Sequence, residues 1–196
     1  MNKAAEDEAA QRQNEVRAMV NEILAMEPLF LDTETTGLDY TSEIIEIGIV
    51  DVNGITVFES LVRPKRKIPG DAVRIHGITD DDVANAPDWP MIHDRVASII
   101  EGRHLIIYNA NYDMQMLDQT VKQYKKLKAP RFETWCAMNA YARFYGEWDD
   151  YRESWRWQKL VNAAQQMGIT LPATGQAHRA VYDCLLCRGV VLAMAG

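Results

Sequence analysis

The chain has 196 residues, 47% of them apolar and 25% charged, which is enough for one core and at most a small appendage. No run approaches the roughly 18 apolar residues of a membrane span, the polar start through Glu15 does not read as a signal peptide, and three cysteines suit a reducing compartment, so a cytoplasmic protein is expected. The 21 basic and 28 acidic side chains leave a net charge of −7, an objection to any nucleic-acid partner, since phosphate binding usually draws on surplus Lys and Arg.

Residues 1–26 form an N-terminal helical extension. Their first half is polar, with Glu6, Asp7, Glu8 and Arg12, whereas Val16, Met19, Val20, Ile23 and Leu24 recur at helical spacing as one apolar stripe. That stripe predicts packing on the main domain, with docking on a protein partner as the alternative role. Residues 27–196 read as a single domain without an internal linker. The apolar run Pro28–Leu31 ends at Asp32, and the β-branched runs Ile44–Val50 and Ile55–Val62 flank Asn53-Gly54, a hairpin signal. Three strands joined as an antiparallel meander are expected. The rhythm then alternates: a helix near Trp89–Glu101, a strand at His104–Tyr108, a helix near Ala110–Tyr124 and a short strand near Arg131–Thr134. Helices follow near Trp135–Phe144, Trp157–Met167 and Ala177–Met194. This order predicts an α/β fold, a mixed sheet with helices on both faces.

Carboxylates stand where apolar elements end. Asp32 and Glu34, two apart on a strand, share a face; two adjacent buried carboxylates repel each other and are costly to desolvate without a cation between them. The small residues Thr35, Thr36 and Gly37 after them leave room for a ligand beside the backbone. Asp113 follows the strand Leu105-Ile106-Ile107 and the N-cap candidates Asn109 and Asn111, which puts it in the first turn of a helix. His178 and Asp183 are five residues apart, roughly 500° of helical rotation and so about 140° from a common face, which assigns His178 to the loop or first turn before the helix of Asp183. Four carboxylates from three separate segments suit two hard cations, Mg²⁺ or Mn²⁺, because both prefer oxygen ligands. Such a pair can clamp an in-line phosphoryl displacement, and an imidazole, with an ordinary pKa near 6.5, suits the general base.

The motifs Asp-Thr-Glu-Thr-Thr-Gly-Leu (32–38), Ile-His-Gly-Ile-Thr (75–79), Asn-Ala-Asn-Tyr-Asp (109–113) and His-Arg-Ala-Val-Tyr-Asp (178–183) resemble, in this order, the DEDDh branch of 3′→5′ exonucleases. That group includes the proofreading subunit of bacterial replicative polymerase, exonuclease X and RNase T, and the resemblance covers residues 28–193. It implies an RNase H-like fold, hydrolysis of the terminal phosphodiester of DNA at single-stranded or frayed 3′ ends, release of 5′ nucleotides, and two Mg²⁺ ions replaceable by Mn²⁺. It casts Asp32, Glu34, Asp113 and Asp183 as metal ligands and His178 as the base. The branch with a catalytic tyrosine fits less well, since Arg179 stands where its tyrosine belongs. Tyr108 replaces a common histidine and Glu133 a common aspartate, departures that touch substrate fit rather than catalysis. An exoribonuclease of the same branch and a polymerase-associated binding subunit remain the alternatives.

The resemblance also implies that Thr33, Leu38, Ile75, His76 and Tyr112 line the pocket for the 3′-terminal nucleotide, where an aliphatic wedge and an aromatic ring stack on a base without reading its identity. Core packing competes for Leu38, Ile75 and Tyr112, and a backbone-bonded turn for His76. The basic runs Arg63–Lys67 and Lys122–Arg131 read first as solvated faces, and the aromatic segment Trp148–Trp157 as packing rather than a flap. Cys184 and Cys187 read as core thiols. Two divalent ions on the carboxylates would bring the net charge from −7 to −3, which weakens the objection to a nucleic-acid partner and predicts weak phosphate contact concentrated at the 3′ end.

Overall fold

The computed structural model describes residues 3–124, 126–170 and 178–196. Its central sheet has the order β3-β2-β1-β4-β5. Strands β1 (Leu29–Thr35), β2 (Ile44–Asp51) and β3 (Thr56–Leu61) form the predicted antiparallel meander, and β4 (His104–Ile107) and β5 (Glu133–Cys136) run parallel to β1. The β2–β3 turn is closed by Asp51, whose carboxylate accepts hydrogen bonds from the backbone of Asn53 and Ile55 at 2.9 and 2.8 Å, with Gly54 left-handed at φ 86°.

Alternation along the strands divides the core. Leu29, Leu31, Leu105 and Ile107 face one layer with α4 (Trp89–Ile100) and α5 (Ala110–Lys122). Phe30, Val50 and Ile106 face the other, built from α1 (Lys3–Ala25), α6 (Ala137–Tyr145), α7 (Leu160–Gln166) and α8 (Ala180–Ala195). The mixed sheet is thus covered on both sides, as expected. Val16 and Val20 of α1 are fully buried in the second layer, so its apolar stripe packs on this domain.

Several boundaries differ from the sequence reading. Strand β1 runs past Leu31 to Thr35, because the peptide groups of Asp32 through Thr35 stay paired with β2. Trp135 and Cys136 belong to β5, where pairing with β4 overrides their helical reading, and α6 starts at Ala137. Helix α7 begins at Leu160 rather than Trp157, and α8 at Ala180; Ala177, the predicted start, lies outside the described residues. Two short helices, α2 (Gly70–His76) and α3 (Asp80–Val83), escaped periodicity because neither exceeds two turns. They bury Ile68, Ala72, Ile78 and Val83 against Ile45. The aromatic segment forms a small hairpin, β6 (Trp148–Asp149) with β7 (Ser154–Trp155). Trp148 meets Trp155 edge to face at 4.9 Å, and Arg12 of α1 lies over Trp155 at 4.8 Å, while Tyr151 at the tip is 96% exposed. No helix among the described residues is long and apolar enough to cross a membrane.

Candidate active site

Two neighbouring strands and two helices bring the predicted carboxylates together. Asp32 and Glu34 occupy the second half of β1, Asp113 the first turn of α5 directly beyond β4, and Asp183 the first turn of α8. The ligand atoms of Glu34, Asp183 and His178 lie within 4.8 Å of one another. His178 precedes α8 in the left-handed region at φ 61°, with Nδ1 3.9 Å from an Asp183 oxygen. The loop position follows from the geometry anticipated for His178 and Asp183.

Asp113 is held from the other side of β1: its Oδ1 accepts hydrogen bonds from the Thr33 amide at 3.0 Å and the Thr33 hydroxyl at 2.7 Å. Asn109 caps α5 by position but makes no side-chain capping bond; it adopts φ 67° instead, a conformation that Asn tolerates.

The electrostatics are those of a buried acid cluster. Burial, then repulsion from Asp113, Asp183, Glu34 and Glu46, pushes Asp32 well above the usual carboxylate range. Burial lifts Glu34 to about 8, reinforced by Asp183 and Glu46 and opposed by Arg179. Asp113 is raised to about 7 by burial against the pull of the Thr33 hydrogen bonds, and Asp183 to about 6 by burial against nearby His178. An oxygen-only donor set whose members resist joint ionisation fits divalent hard cations.

All five predicted substrate contacts, Thr33, Leu38, Ile75, His76 and Tyr112, line one cleft of about 560 Å³ that opens beside Glu34. Leu38 and Ile75 are 82% and 58% exposed, which removes the core-packing reading for both. Tyr112 does both things: its ring packs on the core edge, and its hydroxyl donates to the Gly37 carbonyl at 2.9 Å beside the Thr35 hydroxyl. His76 is 2% exposed; its Nδ1 accepts the Ile78 amide at 3.0 Å, the predicted backbone-bonded turn, and Nε2 finds no hydrogen bond of normal geometry. Burial holds its pKa below the ordinary imidazole value.

Two positions that shape the surroundings of the site escaped the sequence reading. Glu46, 1% exposed, sits opposite Glu34 in the β1–β2 register. It accepts Arg179 Nε at 2.9 and 3.1 Å and the Ala180 amide at 2.9 Å, so an ion pair clamps the start of α8 to β2 next to His178. The available signal was an acid in the middle of the apolar run Ile44–Val50. Gly48 belongs to the same clamp: a Cβ there would lie 2.6 Å from the Val181 nitrogen, so only glycine lets α8 approach this closely. Cys184 and Cys187 are buried core thiols, as expected, and their burial raises both pKa values.

An acid cluster at one end of a mixed five-stranded sheet with helices on both faces defines a nuclease of the RNase H-like fold. The sequence profile described as Exonuclease, of the RNase T type, matches residues 29–190, and the chain belongs to this exonuclease family. A relative described as an uncharacterized exonuclease, CP81 of Escherichia phage 186, is 41% identical over 173 residues, covering 85% of this chain and 87% of its own. DNA polymerase III subunit epsilon of Treponema pallidum is 37% identical over 162 residues, 80% and 70% of the two chains. Among solved structures, exonuclease X in complex with 5′-overhanging duplex DNA superposes with a TM-score of 0.64 at 26% identity over 85% of this chain and 89% of that one.

Proposed function

We propose that the protein is a 3′→5′ exonuclease that removes nucleoside 5′-monophosphates from single-stranded or frayed 3′ ends of DNA. The observation that carries this reading is the convergence of Glu34, Asp183 and His178 beside Asp32 and Asp113, at the mouth of a cleft with exposed Leu38 and Ile75. Asp32, Glu34, Asp113 and Asp183 would hold two Mg²⁺ ions, or Mn²⁺ in their place, which neutralise the acids and polarise the phosphate when bound. Leu38, Ile75 and Tyr112 hold the terminal nucleotide by apolar contact, which is indifferent to base identity. Thr33 fixes the orientation of the Asp113 carboxylate through its two hydrogen bonds. His178 takes the proton of the water that attacks the terminal phosphorus; the P–O3′ bond breaks, the strand departs with its 3′ oxygen, and that oxygen is protonated from solvent.

The catalytic unit comprises residues 27–196, with residues 1–26 as an N-terminal extension whose helix α1 presents solvent-facing Glu6, Asp7 and Glu8 as an acidic face to a protein partner such as a polymerase. A cytoplasmic setting accords with the free Cys136, Cys184 and Cys187.

The test is product analysis on matched single-stranded DNA, duplex DNA and RNA with Mg²⁺, Mn²⁺ or EDTA. Nucleotide release from DNA in either metal, its absence in EDTA, and its loss in Asp32→Ala and Asp183→Ala proteins with unchanged circular dichroism are expected. Activity retained in either variant refutes the reading, and faster release from RNA replaces DNA by RNA as the substrate.

A further inference from the structure

The loop from Arg63 to Lys67 is held in place from beneath. The carboxylate of buried Glu43 accepts the backbone amides of Lys65 and Arg66 at 3.0 and 3.1 Å, and Asp80 accepts the Ile68 amide at 3.0 Å. The loop is therefore tied to Glu43, the residue before β2, and just beyond its C-terminal end to α3. Its side chains divide: the Lys65 ammonium lies over the Tyr124 ring at 3.8 Å, whereas Arg66 and Lys67 are exposed and line the cleft with Leu38, Ile75 and His76. Among the described residues neither Arg66 nor Lys67 makes an ion pair or a side-chain hydrogen bond. The acids on the same lip are otherwise engaged: Asp71 pairs with Arg74, and Asp39 accepts from Thr41 and Ser42.

We infer that Arg66 and Lys67 form a phosphate subsite at the rim of the cleft, which binds a backbone phosphodiester of the strand whose 3′-terminal nucleotide enters it. The inference rests on the nuclease reading for which strand end is bound. In a chain of net charge −7, two free cations on a backbone-anchored loop supply local attraction where the global charge repels. The second basic run differs: Lys126, Lys128 and Arg131 surround a separate cavity before the N-terminal end of β5, away from the carboxylates at the opposite ends of the parallel strands.

The experiment compares wild type, Arg66→Gln/Lys67→Gln, Arg66→Lys/Lys67→Arg and Lys126→Gln/Lys128→Gln. Binding of a fluorescein-labelled oligothymidylate is followed by anisotropy against salt concentration in Ca²⁺, without Mg²⁺ or Mn²⁺. The first variant is expected to bind about tenfold more weakly, and the slope of log affinity against log salt to fall by about 0.7, one single-strand phosphate contact. The charge-preserving and distant variants keep the wild-type slope. Hydrolysis of thymidine 5′-monophosphate p-nitrophenyl ester, which has no neighbouring phosphodiester, falls less in the first variant than hydrolysis of the oligonucleotide does. An unchanged slope in the first variant, or an equal loss in the distant one, overturns the assignment. Since binding is read without turnover, a wild-type protein that shows the expected slopes and hydrolyses neither substrate overturns the nuclease reading and upholds the subsite.

Discussion

Removing Arg179 tests whether the buried ion pair with Glu46 is structural glue for the active site. In Arg179→Ala the Glu46 carboxylate, 1% exposed, keeps the Ala180 amide and loses the guanidinium. Breaking a fully buried pair costs about 3–5 kcal/mol. The Arg179 side chain is 38% exposed, so part of the attraction is already screened, and a cost of about 3 kcal/mol is expected. For a chain of this size that lowers the melting temperature by roughly 6–12 °C. The double variant Arg179→Ala/Glu46→Gln removes the stranded charge and should recover at least about 1 kcal/mol of the loss. Arg179 also lowers the pKa of Glu34 across the sheet, so activity should fall in both variants even where stability is restored. Thermal melts in EDTA at neutral pH, followed by nucleotide release at a temperature where every variant is folded, supply both numbers. A single variant within about 1 kcal/mol of wild type, or a double variant no more stable than the single, refutes the reasoning.

Other expectations follow from the same geometry. Because Glu34, Asp113 and Asp183 bind protons more tightly in the fold than their ordinary carboxyl values, the metal-free protein holds extra protons between about pH 4 and 8 and loses stability as pH rises through that window. Melting in EDTA should fall from pH 5 to pH 8, and Mg²⁺ or Mn²⁺ should raise it at pH 8 far more than at pH 5; a melting temperature independent of pH contradicts the shifts. Gly48→Ala places a Cβ against the backbone of Val181 and Ala180, so a loss of about 1–3 kcal/mol with reduced activity is expected by denaturant titration. Leu38→Ala/Ile75→Ala removes two exposed side chains, so stability should change by less than about 1 kcal/mol while KM for an oligonucleotide rises; a large loss of stability would return both residues to the core.

Much of the site was legible because strand alternation and helix rotation are local rules. Asp32 and Glu34 had to share a face of β1, and His178 and Asp183 could not share one face of a continuous helix, before any tertiary contact was known. The boundary errors share a cause: pairing decides where a strand ends, and the ladder with β4 carries β5 on through Trp135 and Cys136. Helices α2 and α3 are too short for periodicity, yet α2 carries Asp71, Ala72, Ile75 and His76 into the wall of the cleft.

The amino-acid order by itself thus determined the layered α/β fold, the four carboxylates, the histidine and the absence of local helical continuity between His178 and Asp183. Only the tertiary structure decided the rest: that Leu38 and Ile75 face solvent, that Thr33 engages Asp113, that Glu46 and Arg179 pair, and that Arg66 and Lys67 turn to the cleft while Lys65 turns to Tyr124. These relations join segments as far as 133 residues apart, and their energies come from burial and from partners meeting in space, quantities that no window of neighbouring residues contains.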